Sequence, residues 1–289
     1  MWEISLEAIY DERRKSLIFF MIISNIFYLG SGYFLLKAGV FDNIWILFGY
    51  IGGFIVLLKI IEAKRNNFIN SCKNELIKPE IEKMGLEYEP KMMVSLSDVD
   101  ESRLIDEEYD DYDGSDFVRG DNFNFSYLYL TREEEYTTTN SEGETETETE
   151  TITVFDGIFF VGAFPKKIKG FYIVKKNTLH LSDILPIFTE KNRIKLDMPE
   201  FEKVFDVYGS EQIEGRYIFD FTFMQNLLEV YKFLPFDKFS IKNGKYFITF
   251  PGVKFKTSLF KDMKECIEYN VNLVYALSRV DEILFKDRG

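Results

Sequence analysis

Two long apolar runs, Ser16 to Leu36 and Asn43 to Leu58, stand near the start of the chain, and no later stretch repeats their pattern. The first is free of charge, and Phe19, Ile22, Ile26, Phe27 and Phe34 fall on all sides of a helix rather than along one stripe. At about 1.5 Å per residue it reaches roughly 31 Å, close to the thickness of a bilayer's hydrocarbon core. Lys59 can snorkel, so Ile60 and Ile61 extend the second run. The pattern predicts a two-helix transmembrane hairpin over residues 16–61, in preference to two core helices of a soluble protein. A cleaved signal sequence fits poorly. The leader carries Glu3, Glu7, Asp11 and Glu12, shows no small-x-small cleavage site, and is followed by a second span.

The flanks of this hairpin set an orientation. Arg13, Arg14 and Lys15 precede the first run, Lys59, Lys64 and Arg65 close the second, and the connecting loop offers only Lys37, offset by Asp42. Positive-inside bias places both termini in the cytoplasm, in the plasma membrane or inner membrane of its cell. Gly49 and Gly53 form a small-xxx-small pair in the second run, with Gly30 and Gly32 in the first. They suit either close packing of the two helices on each other or the face of a homodimer.

On either side of the hairpin the pattern is helical. Residues 1–15 read as a short interfacial helix with Trp2, Leu6, Ile9 and Tyr10 on one side. Residues 62–96 read as a helical stalk in which Phe68, Cys72, Leu76, Ile77 and Ile81 recur at helical spacing, with a kink or a fresh start at Pro79.

From Asn122 onward the period changes to two. Phe123, Phe125, Tyr127 and Tyr129 alternate with polar residues as in a half-buried strand. Tyr136 to Thr139 and Thr145 to Thr151 flank a turn at residues 140–143. The second arm places Thr145, Thr147, Thr149 and Thr151 on one face and Glu144, Glu146, Glu148 and Glu150 on the other. That predicts an exposed acidic hairpin over residues 132–151. Val154 to Phe164 and Gly170 to Val174 are dense apolar strands, and Val204 to Tyr208 is another. Asp220 is a candidate N-cap for a helix burying Phe223, Leu227, Val230 and Tyr231. Asn243-Gly244 between alternating residues predicts a type I′ hairpin pairing Ile241 with Tyr246 and Phe239 with Ile248. An amphipathic helix over about 259–285 closes the chain. The expected fold is α+β, a transmembrane hairpin followed by a strand-rich cytoplasmic domain of antiparallel hairpins and helices over residues 97–289.

Charge changes this picture in one respect. The formal net charge of −13 is concentrated, with eleven acids against two bases in Ser97 to Asp121 and eight against one in Arg132 to Thr151. The remainder is nearly neutral, so the basic footprint that nucleic acid requires is missing. An anionic leaflet would repel both segments, which should face the cytosol. Aromatic residues make up 17% of the chain, enough for a sizeable core.

Candidate chemistry is sparse. The run Asp110 to Asp116 invites a calcium loop, but with Gly114 at the sixth position Tyr109 and Gly120 occupy the first and twelfth, where carboxylates are needed. A solvated acidic turn is expected instead. His180 is the only histidine, which removes the usual triads and histidine-based zinc sites. Cys72 and Cys266 need no disulfide in a reducing compartment. No catalytic residue, cofactor-binding residue or metal ligand emerges.

Several segments together resemble a known family. Glu200 to Tyr208 leads into Gln212 to Phe219, preceded by Phe155-Asp156-Gly157-Ile158-Phe159-Phe160-Val161 and followed by Ser258-Leu259-Phe260. In this order behind a membrane hairpin, over about residues 113–260, they resemble the bacterial domain-of-unknown-function family 3137. Asp220-Phe221 stands where a Thr-Pro helix start is expected of the family. The resemblance implies a bacterial membrane protein with a LemA-like membrane protein as candidate partner, and it supplies no active site. The reading that follows is a non-enzymatic, membrane-anchored protein whose domain binds another protein, with Glu144, Glu146, Glu148 and Glu150 as the surface for a basic partner. A lipid- or small-ligand-binding module is the alternative.

Overall fold

The computed structural model describes residues 6–40, 43–139, 145–177, 192–257 and 259–286. The chain is α+β, with an N-terminal helical pair and an antiparallel sheet of eight strands among the described residues. It divides into two compact units, residues up to 80 together with 256–271, and residues 81–255 together with those after 271.

In the first unit α1 (Leu6–Lys37) and α2 (Ile44–Cys72) are both long and apolar enough to cross a membrane. The expected interfacial helix and first span are one uninterrupted helix, because nothing between Leu6 and Ser16 breaks helical geometry. Asn43 caps α2 by accepting from the Trp45 N–H at 3.0 Å. The two helices meet through tyrosines. The Tyr28 and Tyr50 rings lie 4.4 Å apart, each hydroxyl is bonded to the other's backbone oxygen, and Ser31 Oγ is 3.2 Å from the Tyr50 hydroxyl. After α2 the chain passes through a π-helical turn, Lys73–Ile77, into α3 (Lys78–Glu82). Pro79 lies inside a helix that runs without a break from α2 to Glu82, and the π-helical turn just before it, where the Lys78 N–H reaches back to the Lys73 carbonyl, interrupts the ladder to which Pro79 cannot donate.

The second unit is built on the sheet, in the order β1-β2-β3-β4-β8-β7-β5-β6. Its strands are β1 (Glu87–Glu89), β2 (Asp111–Arg119), β3 (Phe123–Thr139), β4 (Thr145–Ala163), β5 (Tyr172–Lys176), β6 (Phe205–Gly209), β7 (Lys238–Lys242) and β8 (Lys245–Pro251), with every named pairing antiparallel. Short helices α4 (Leu96–Ser102), α5 (Pro199–Glu202) and α6 (Gln212–Ile218) accompany α7 (Phe221–Phe233) and α8 (Met263–Leu284). Asp220 caps α7, accepting from the Phe223 N–H at 2.9 Å. The Asn-Gly turn forms as expected, with φ of 49° at Asn243 and 74° at Gly244, and it sets Ile241 opposite Tyr246 and Phe239 opposite Ile248.

The core lies on both faces of the sheet. One face carries Val99, Leu104, Leu128, Leu130, Phe159 and Phe247 in a single cluster. The other carries an aromatic row, Phe125, Phe160, Tyr246 and Phe239, with successive ring centroids 5.7, 5.8 and 5.9 Å apart. Gly162 makes room for that row, since a Cβ there would come within 2.2 Å of the Tyr246 ring. The α8 residues Val274, Leu277 and Val280 are buried, and Tyr246 donates to Asp281 at 2.8 Å.

Three expectations change. The aromatic face of β3 is buried only at Phe125: farther along, Leu128 and Leu130 on the opposite face are buried in the core cluster, whereas Tyr127 is partly buried and Tyr129 is exposed. The stretch after Asp110 is strand β2 rather than a solvated acidic turn. A bulge between Ser115 and Val118 turns Asp116 inward at φ 61°, where it accepts from the Tyr88 hydroxyl and from Ser115 Oγ. The stalk expected over residues 62–96 ends at Glu82, and β1 follows from Glu87. His180 and the rest of residues 178–191 lie outside the described residues.

Candidate functional site

Two places in the second unit stand apart from the packing. The first is the expected acidic hairpin. β3 pairs with β2 as far as Thr131, and β4 pairs with β8 only from Gly157. Between these limits β3 and β4 continue as a ribbon of two strands alone, from Arg132 opposite Ile152 to Thr139 opposite Thr145. At about 3.4 Å per residue that is roughly 27 Å of strand. No residue from 132 to 151 whose exposure is described is buried. Glu134 stands opposite Glu150, and Tyr136 opposite Glu148. A hydrogen bond to the Glu148 carboxylate raises the Tyr136 phenol above its ordinary pKa. Arg132 answers some of this charge, pairing with Glu134 and, at 3.2 Å, with Glu107. Glu148 and Glu150 are exposed, Glu146 is paired with Thr138 in the ladder, and Glu144 lies outside the described residues.

The second place had no counterpart in the sequence reading. Where the β4–β8 ladder stops, at Gly157 opposite Pro251, a cavity of about 250 Å³ opens between Asp106, Phe155, Asp156, Asp237, Lys238 and Thr249. Lys175, buried in β5, and Lys238 both donate to one oxygen of Asp106, Oδ2, the former at 3.2 Å. Lys238 also donates to the Leu104 carbonyl at 2.9 Å. Burial pushes the Lys175 ammonium down to about 8, against the pull of Asp106. Asp106 Oδ1 and Thr249 Oγ1 are buried and have no hydrogen-bond partner among the described residues. Asp156 is held by the Tyr127 hydroxyl and by Lys254 Nζ, each at 2.9 Å. The one signal that could have pointed here is Lys175, a charged residue ending the apolar run Tyr172-Ile173-Val174.

In the first unit a Cβ at Gly53 would stand 3.0 Å from the Tyr28 hydroxyl, and one at Gly49 would meet nothing within 4 Å. Cys72 and Cys266 are buried free thiols lining one small apolar cavity there. Among the described residues no three of His, Cys, Asp and Glu come together as a metal-holding group.

Residues 153–283 match the model of a family described as a protein of unknown function, DUF3137. The match begins in β4 at the foot of the ribbon and runs into α8, later at both ends than the resemblance over residues 113–260. No curated protein matches the chain. Among solved structures, the crystal structure of the mycobacterial trehalose monomycolate transport factor A, TtfA, is similar at 10% identity and a TM-score of 0.34, covering 74% of this chain and 96% of that one. A likeness of that size carries no argument about function.

Proposed function

Over residues 153–283 the chain is assigned to the domain-of-unknown-function 3137 family, and from that premise we propose that it is a membrane-anchored interaction module rather than an enzyme, with the ribbon of residues 132–152 as its docking element. The observation that carries this reading is the ribbon itself. It extends beyond both neighbouring strands, contributes no described buried residue from 132 to 151, and sets one pair of like charges, Glu134 and Glu150, opposite each other. Cross-strand glutamates weaken an isolated ribbon, and basic side chains on a partner would relieve that repulsion. Helices α1 and α2 supply the anchor, and their basic flanks favour a cytoplasmic domain. A second membrane protein with a basic surface is the fitting partner, a LemA-like protein being the candidate the family resemblance suggests. Nucleic acid is not.

Co-purification of the full chain from detergent extracts tests this. Replacing residues 133–150 by a short turn, or reversing charge with Glu148→Lys and Glu150→Lys together, is expected to release a partner that the native chain retains. Identical partner lists in all three preparations would overturn the role of the ribbon. A second reading, a small-ligand-binding module, draws on the cavity beside Asp106.

A further inference from the structure

We propose that the cavity between Asp106, Asp237, Lys238 and Thr249 binds a small neutral polyhydroxylated molecule, a polyol or a single sugar ring. The proposal rests on the small-ligand reading and is independent of docking through the ribbon.

The lining selects this class by charge and hydrogen bonding. Thr249 is only 2% exposed, yet its Oγ1 has no partner among the described residues, and Asp106 Oδ1 shares that condition. Buried polar atoms in native proteins are nearly always satisfied, so an occupant that hydrogen-bonds to both is favoured over an apolar one. A cation is disfavoured. The ammonium groups of Lys175 and Lys238 already converge on Asp106, and a third positive charge would meet both. An anion is disfavoured by the carboxylates of Asp106, Glu107, Asp156 and Asp237 on the wall. What remains is a neutral group that donates to Asp106 Oδ1 and either donates to or accepts from Thr249, which a hydroxyl does. Several hydroxyls on a compact frame meet both atoms at once, while Val154, Phe155 and Pro251 offer an apolar wall for the C–H side. At about 30 Å³ per water the cavity has room for roughly eight, the scale of one small ring and not of a lipid chain.

The test uses the full chain in a detergent without a sugar head group, titrated with myo-inositol and D-glucose as probes and with methylammonium and acetate as charged comparisons, read by saturation-transfer NMR. Saturable binding of a neutral probe is expected, weakened about tenfold by Thr249→Val, the loss expected of one hydrogen bond. Thr249→Ser restores it, and Lys232→Gln on the exposed side of α7 leaves it unchanged. Should Thr249→Val fail to fold, Asp237→Asn serves as the second variant, with weakened binding expected. Tighter binding of methylammonium or acetate would overturn the ligand class and leave the small-ligand reading standing. No saturable binding of any probe, meaning a cavity filled by solvent alone, would overturn both. Unchanged affinity in both Thr249→Val and Asp237→Asn would overturn the site.

Discussion

The β7–β8 hairpin and the outer part of the β3–β4 hairpin follow the same rule of alternation and end in opposite environments. In the first, Phe239, Ile241, Tyr246 and Ile248 are wholly buried, and so are Ser240 and Phe247 on the other face, because helices and loops cover both sides of the sheet. In the second, described residues on both faces from 132 to 151 are open to solvent. A two-residue period therefore reports extended backbone and not burial. Burial is decided by whether neighbouring strands and covering segments reach the same length, and here β2 and β8 stop short. The sheet holds the core, and the ribbon adds nothing described to it.

The sharpest way to break this contrast is truncation on each side of it. Phe160→Ala removes a fully buried ring stacked on Phe125 and Tyr246 and is expected to cost about 3–5 kcal/mol in urea unfolding, whereas Thr149→Ala should stay within about 0.5 kcal/mol. Comparable losses at the two positions would mean that the ribbon is part of the core. A smaller effect is expected where a strand backbone and a ring crowd together. Gly162→Ala places a methyl within 2.2 Å of the Tyr246 ring and should cost about 1–3 kcal/mol, and adding Tyr246→Leu should return part of it. Failure of that second change to help would show that the methyl meets something other than the ring.

A third effect concerns charge. The ribbon's exposed carboxylates lie in solvent, whereas Lys175 lies inside with its ammonium lowered from 10.5 to about 8 by burial. Between those values the unfolded chain holds the proton more firmly than the folded one, so stability from this group rises with pH. The penalty is fully present below about pH 8 and is relieved toward pH 10.5. Unfolding free energies of the native chain and Lys175→Met should diverge in favour of the native chain as pH rises through that interval. A constant difference would show that Lys175 is not buried as a charged group.

Much of the fold was legible because its causes are local. Asp220 before an apolar helical stripe and Asn243-Gly244 between alternating strands each specify backbone geometry within a few residues. The acidic stretch after Asp110 reads as a turn from its acids and Gly114, once the calcium-loop spacing fails at Tyr109 and Gly120. Only pairing with β3 and the Tyr88–Asp116 bond explain why Asp116 turns inward. The cavity was not legible at all. Asp106 is 69 residues from Lys175 and 132 from Lys238, and no spacing rule links positions so far apart.

By itself, then, the sequence determined the two apolar helices, the change from helical to strand period after Asn122, the tight hairpin and the acidic repeat, since each depends on dihedral preference and side-chain period over a short window. Only the tertiary structure decided which strands are covered on both faces, where the sheet stops and the ribbon begins, and how two lysines come to share Asp106 beside Thr249. Those outcomes depend on which distant segments share the same space, and burial, desolvation and hydrogen-bond satisfaction have no value until they do.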